Sequence, residues 1–257
     1  MGANLENMYF SQAALNAWFN CPLKFRRRYV DGLYWPQVAE SDPLERGRKF
    51  HLLAQSYYAT GSTYVPPGDR ERFRPLVEAL TQFLPRTEDR KFLPEYELRM
   101  NDDGLKLLAK YDLLVVDEQT VTIYDWKTDS KPLRPAIADS PQTRLYLFLL
   151  CSLPRYFNLV PEAASMVYWN PIFPEQTLEV KYNQSKFVAD RQWLQDTIGQ
   201  IRKTQSFVAA EQKCRWCEYR PLCHGESLET TEAEEEQFEE IDWDEISEIA
   251  WQGVNIP

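Results

Sequence analysis

Residues 105–128 read LKLLAKYDLLVVDEQTVTIYDWKT, and this stretch decides the fold. Two apolar runs, Leu105–Val116 and Thr120–Trp126, flank the polar Asp117-Glu118-Gln119 and predict a pair of antiparallel strands. A third run, Phe92–Met100, comes before them across Asn101-Asp102-Asp103-Gly104, so the block predicts a β-meander. Residues two apart on a strand share a face, which projects Asp125 and Lys127 together, and the hairpin lets Asp112 approach Asp125. Two carboxylates beside a lysine suit a hard divalent cation and a phosphate. The oxygens hold the ion, and the ammonium stabilises charge or orients a water. Charged residues at strand ends are commonplace, so the flanking sequence has to decide whether this is a site.

Outward from the meander the period becomes helical. Ser11 caps a predicted helix through Tyr29, with a break near Cys21 where Pro22 removes a backbone donor. Ser41-Asp42-Pro43 opens a helix over Leu44–Ala59, on which Gly47 and His51 stand one turn apart. A Gly/Pro-rich loop, Thr60–Asp69, leads to a helix from about Arg70 to Phe83. Past the meander, Ser140-Pro141 starts a strongly apolar helix to about Ser152, with Gln142 and Tyr146 at i, i+4. Ser165–Trp169 and Thr177–Tyr182 read as strands and Ser185–Thr204 as a long helix. The expected class is α/β, a mixed central sheet flanked by helices.

Along the chain the polar landmarks run Gly47-x-x-x-His51, Asp112, Asp125-x-Lys127, Gln142-x-x-x-Tyr146. In that order they resemble the RecB-like branch of the PD-(D/E)XK nucleases, whose fold is restriction-endonuclease-like. The resemblance implies that Asp112 and Asp125 hold Mg²⁺ or Mn²⁺, that His51 is a further metal ligand and that Lys127 is the catalytic lysine. Gln142 and Tyr146 then contact the substrate strand or support the site. An acidic residue on the preceding strand is implied in some members, and both Glu95 and Glu97 are placed for it.

Five cysteines occur, at 21, 151, 214, 217 and 223. Cys151 lies within the apolar Leu149–Leu153 run and reads as a small buried hydrophobe. Cys214, Cys217 and Cys223 form a C-x₂-C-x₅-C run that lacks a fourth thiolate, and Cys21 is available to supply it. One N-terminal cysteine followed by Pro22-Leu23-Lys24-Phe25, with three more near the end, is similar to the iron–sulfur RecB-like nucleases. These include the AddB nuclease domain and the CRISPR-adaptation exonuclease family. That implies a 4Fe–4S cluster closing a small helical satellite, with zinc as the alternative at the same thiolates. His224 competes with Cys21 as fourth ligand, but it adjoins Cys223, which makes simultaneous ligation awkward.

The resemblance implies a metal-dependent hydrolase of DNA, acting on single strands or free ends in repair, recombination or defence. A non-catalytic DNA-end-binding scaffold and a CRISPR spacer-processing nuclease are the rival readings. Spread evenly, the net charge of −10 would oppose nucleic acid, but it is uneven. Residues 226–257 hold 12 of the 39 acidic residues and no Lys or Arg, so the remainder has 27 acidic against 29 basic side chains. The expected division is a nuclease domain over 9–224 and an acidic tail over 225–257. No G-x-x-x-x-G-K-[ST] motif occurs, so any helicase, repair or CRISPR partner is a separate protein. Neither a leader-type N-terminus nor an apolar run long enough for a bilayer is present, which predicts a cytoplasmic protein without a membrane partner.

Overall fold

In the computed structural model, residues 5–33 and 42–225 are described. The hairpin that opens the sheet is set by its turn. Asp103 and Gly104 both take left-handed backbone, with φ of 50° and 72°, a geometry whose twist matches that of the strands it joins. This turn pairs β1 (Lys91–Asp102) with β2 (Leu105–Asp117), so that Asp102 faces Leu105 and Leu98 faces Ala109. β3 (Thr120–Trp126) adds antiparallel to β2, β4 (Ala164–Trp169) parallel to β3, and β5 (Thr177–Lys181) antiparallel to β4. The five strands lie in sequence order, and the parallel β3–β4 step requires a crossover.

α1 (Gln12–Asn20) is capped by Ser11 Oγ, which accepts the Ala14 amide at 3.2 Å. Cys21 is extended at φ −162°, and Pro22 then begins α2 (Pro22–Phe25), so the break falls where the proline predicts it. A π-helical turn, Arg26–Val30, follows α2. α3 (Asp42–Thr60) and α4 (Arg70–Phe83) precede the sheet, and α5 (Pro141–Ser152) is the β3–β4 crossover. The short α6 (Pro154–Phe157), the long α7 (Gln184–Lys203) and the one-turn α8 (Arg220–His224) complete the set. No helix among the described residues is long and apolar enough to cross a membrane. Ser41 and the acidic tail past Gly225 lie outside the described residues.

The helices cover both faces of the sheet. Phe10, Trp18 and Phe25 pack with Leu145, Phe148, Leu149 and Ile198 against Leu107, Tyr111, Ile123 and Met166. On the other face, Phe50, Tyr58, Phe73, Val77 and Leu80 pack against Leu113, Val115, Trp126 and Trp169. Each such side chain contributes roughly 1.5–3 kcal/mol by leaving water. β2 changes step between these layers. Leu107, Ala109 and Tyr111 belong to the first core, yet Leu113 and Val115 belong to the second and Leu114 to the first. The alternation slips at Asp112, opposite Glu95, whose backbone is left-handed at φ 53°.

The segment after α7 returns across α1 and α2. Phe207 packs edge-on to Trp18 at 6.1 Å and stacks with Phe25 at 6.4 Å. Lys24 pairs with Glu218 at 3.2 Å, and the Tyr219 hydroxyl donates to Leu33 O at 2.6 Å.

Candidate active site

β3 ends at Trp126 while β2, seen back along the chain, runs on beside β1 to the Asp103-Gly104 turn, and the polar residues collect where β2 and β3 part. At this point Asp112 Oδ2 accepts the Trp126 amide at 2.8 Å, replacing a ladder hydrogen bond by a side chain. Its other oxygen lies 3.2 Å from His51 Nδ1. His51 Nε2 lies 3.0 Å from Trp126 O. A carbonyl only accepts, so Nε2 carries a proton and Nδ1 is the nitrogen turned to the carboxylates. His51, Glu95 and Asp112 bring one ligand atom each within 4.8 Å of one another.

Charge explains the protonation of this trio. Burial alone lowers the His51 pKa, but the charge and hydrogen bond of Asp112, with Asp125 and Glu95 beyond, lift it to about 9. Burial also raises Asp112, yet His51, the Trp126 amide and Lys127 bring it below the usual carboxylate range. Glu95 is pushed up by burial and by Asp112, against the pull of Lys110, whose Nζ lies 2.6 Å from Glu95 Oε2. Two carboxylates held together at such a cost are relieved by a divalent cation, and oxygen donors with one imidazole fit Mg²⁺ or Mn²⁺.

Beside the trio lies a second, buried group. Lys127 Nζ lies 2.9 Å from Asp125 Oδ1 and donates to Gln142 Oε1 at 3.2 Å, while Gln142 Nε2 donates to Asp125 Oδ2 at 2.6 Å. Lys127 N bonds Trp169 O at 2.9 Å, which extends the strand past Trp126 and fixes the lysine. Gln142 is placed by the start of α5, where Ser140 Oγ accepts the Thr143 amide at 3.2 Å and Pro141 occupies the first turn. A lysine and a carboxylate at this distance, beside converging ligands, can meet a phosphodiester and the charge its cleavage creates.

The structure thus brings His51, Asp112, Asp125, Lys127 and Gln142 to one strand end. Tyr146 is set back: its hydroxyl donates to Lys110 O at 2.8 Å, and Tyr111 returns a bond to Tyr146 O at 3.1 Å, so it ties α5 to β2. Of the two glutamates, Glu95 faces the site, whereas Glu97 accepts from Arg99 at 2.7 Å on the exposed side. The hairpin register separates them, because counting back from the Asp103-Gly104 turn sets Glu95 level with Asp112 and Glu97 level with Lys110. Sequence reasoning missed Tyr168 and Thr143, whose hydroxyls stand 2.7 Å apart behind Gln142. Only the parallel register, which pairs Tyr168 with Asp125, points to the tyrosine.

Cys21 and the C-terminal cysteines are neighbours. Cys21 Sγ accepts the Ala210 amide at 3.3 Å, and Cys214 Sγ lies 3.8 Å from Ala210 O. Burial first, then the nearby Cys21 and Cys223, raise the Cys214 thiol. No three of the sulfurs lie mutually within 4.8 Å. Cys151 is apart on α5, its thiol raised to about 12 by burial.

The fold is shared with a known structure. A protein from Eubacterium rectale provisionally described as an exonuclease is 10% identical, with 93% of this chain and 95% of that one covered and a TM-score of 0.52. The protein SSO0001 is 16% identical over 85% of this chain and 87% of its own, with a TM-score of 0.39. No curated protein matches the sequence. The family model described as the PD-(D/E)XK nuclease superfamily matches residues 9–100 and 64–224, which together span most of the chain, strand-end site included. The chain belongs to the PD-(D/E)XK nuclease superfamily.

Proposed function

We propose that the protein is a Mg²⁺- or Mn²⁺-dependent deoxyribonuclease of the RecB-like branch that degrades single-stranded DNA from its ends. The observation that carries this reading is the convergence of His51, Glu95 and Asp112 beside the Asp125–Lys127–Gln142 group. These three side chains, with Asp125, would hold the ion. A divalent cation so bound supplies Lewis acidity to a phosphoryl oxygen and makes water more acidic. The chain's own part is to orient and to neutralise. Lys127 sits where its ammonium stabilises charge gathering on phosphate, and Gln142 keeps that ammonium from swinging away. The exonuclease description of the Eubacterium rectale protein favours attack at ends.

Residues 9–224 form the nuclease domain in this reading, with Cys21, Cys214, Cys217 and Cys223 holding a 4Fe–4S cluster at its seam. What supports the cluster over zinc at the same thiolates is the likeness of Cys21 and the Cys214-x-x-Cys217-x₅-Cys223 run to the iron–sulfur RecB-like nucleases. The cytoplasm keeps such thiolates reduced, and a separate helicase supplies strands.

The test is anaerobic protein with Mn²⁺ on end-labelled linear single strands and on circular ones. Linear strands should be degraded and circles spared, and Asp125→Ala should stay folded and inactive. Folded protein that binds metal and DNA ends yet cleaves neither substrate would make it an end-binding scaffold instead.

A further inference from the structure

Tyr168, fully buried on β4, lies directly beside Asp125 in the parallel pairing of β3 with β4. Its hydroxyl is 2.7 Å from Thr143 Oγ1 and 3.4 Å from Gln142 Oε1, and Lys127 Nζ stands 5.5 Å from its ring centre. The hydrogens in this corner can be assigned. Thr143 donates to Ile137 O at 2.6 Å, so its oxygen accepts from Tyr168, and Gln142 Oε1 is the longer, second acceptor of the same hydrogen. Gln142 Oε1 therefore faces two donors, Lys127 and Tyr168, while its NH₂ faces Asp125. Turning the amide over would set NH₂ against the Lys127 ammonium, withdraw the donor from Asp125 and remove the oxygen to which Tyr168 also donates. Tyr168 thus adds to the preference for the observed orientation, and its ring lies close enough to the ammonium for a cation–π contact.

We propose that Tyr168 is a positioning residue for cleavage: it locks the Gln142 amide in the orientation that holds Lys127 beside Asp125. The inference rests on the nuclease reading. It adds a β4 residue, anchored through Thr143 to the start of α5, to the residues named for that reaction.

The experiment is steady-state cleavage of end-labelled single-stranded DNA with Mn²⁺ by wild type, Tyr168→Phe, Gln142→Ala and the double variant. Tyr168→Phe keeps the ring and removes only the hydroxyl. It should lower kcat by roughly 5- to 30-fold with KM for DNA within about twofold, as misplacement of a reacting group does. In the Gln142→Ala background the same change should cost less than about twofold, because Tyr168 acts through Gln142. Thr143→Ala, which removes the hydroxyl that anchors Tyr168, should show the same kcat loss and serves as second variant if the first folds poorly. Two independent, multiplying losses would overturn the inference by showing a merely structural role, and so would Tyr168→Phe turnover within twofold of wild type. Failure of the nuclease reading shows separately, as absence of cleavage by the wild-type protein.

Discussion

Glu95 is held at φ 53°, a conformation that costs a side-chain-bearing residue on the order of 1–3 kcal/mol. The cost aims its carboxylate at Asp112 and His51. Glu95→Gln should weaken Mn²⁺ binding in calorimetry by about tenfold or more, since charge count sets affinity at oxygen sites. Glu97→Gln, whose side chain bonds Arg99, should leave it unchanged. Equal losses in both variants would remove Glu95 from the ligand set. Lys127→Met is expected to abolish cleavage while the fold survives. In metal-free protein it should cost roughly 3 kcal/mol in urea unfolding, because Asp125 stays buried without its cation. Added Mn²⁺ should restore part of that stability. Asp125, Lys127 and Gln142 were legible in the sequence because strand and helix periods project them, and their order beside His51 and Asp112 narrows the chemistry. The choice of Glu95 over Glu97 needs a pairing register, which resides in the conformation of a two-residue turn. Tyr168 needs the partner strand's direction, which no local pattern carries.

At the scale of elements, the strand and helix ends lie within two residues of those read from caps, turns and prolines. Local chemistry writes such ends. Ser11, Ser140 and Asn183 all accept the amide three residues on; the two serines begin their helices where a capping residue predicts, while Asn183, not singled out in the sequence, starts α7 one residue before the expected Ser185. The π-turn at Arg26–Val30 was not legible, since five residues that continue a helical pattern say nothing of a wider hydrogen-bond spacing. α5 is the element on which the site leans: Gln142 and Thr143 are in its first turn, Tyr146 and Leu149 in its buried middle. Ser140→Ala should therefore lower stability by about 1 kcal/mol and reduce turnover as well, whereas Ser140→Asp, which can still cap, should keep both. Urea melts paired with cleavage rates decide this. A stability loss with wild-type turnover would mean that the cap does not position Gln142.

For the whole molecule, two expectations concern what joins or screens it. Each of Cys21→Ser, Cys214→Ser, Cys217→Ser and Cys223→Ser should lose iron and thermal stability, while Cys151→Ser should keep its iron. Stoichiometric zinc without iron, in protein made with ample iron, would decide for the tetrahedral ion. For the acidic segment 226–257, with Phe238, Ile241, Trp243, Ile246 and Ile249 interleaved, the expectations are a solubilising end, a competitor for the DNA surface, or a dock for a basic partner through those apolar residues. Truncation after Gly225 should tighten single-stranded DNA binding at low salt, with the gain fading as salt rises. Equal binding by both forms excludes competition. The return of the chain over α1 has a consequence for synthesis. Ala210 meets Cys21 across 189 residues, and Phe207 covers Trp18 and Phe25 over a similar separation. At about 5–20 residues per second, the first helix waits roughly 10–40 s on the ribosome before its apolar cover is even made. Over that interval Trp18, Phe25 and the Cys21 thiol are open to chaperones, oxidants and neighbouring nascent chains.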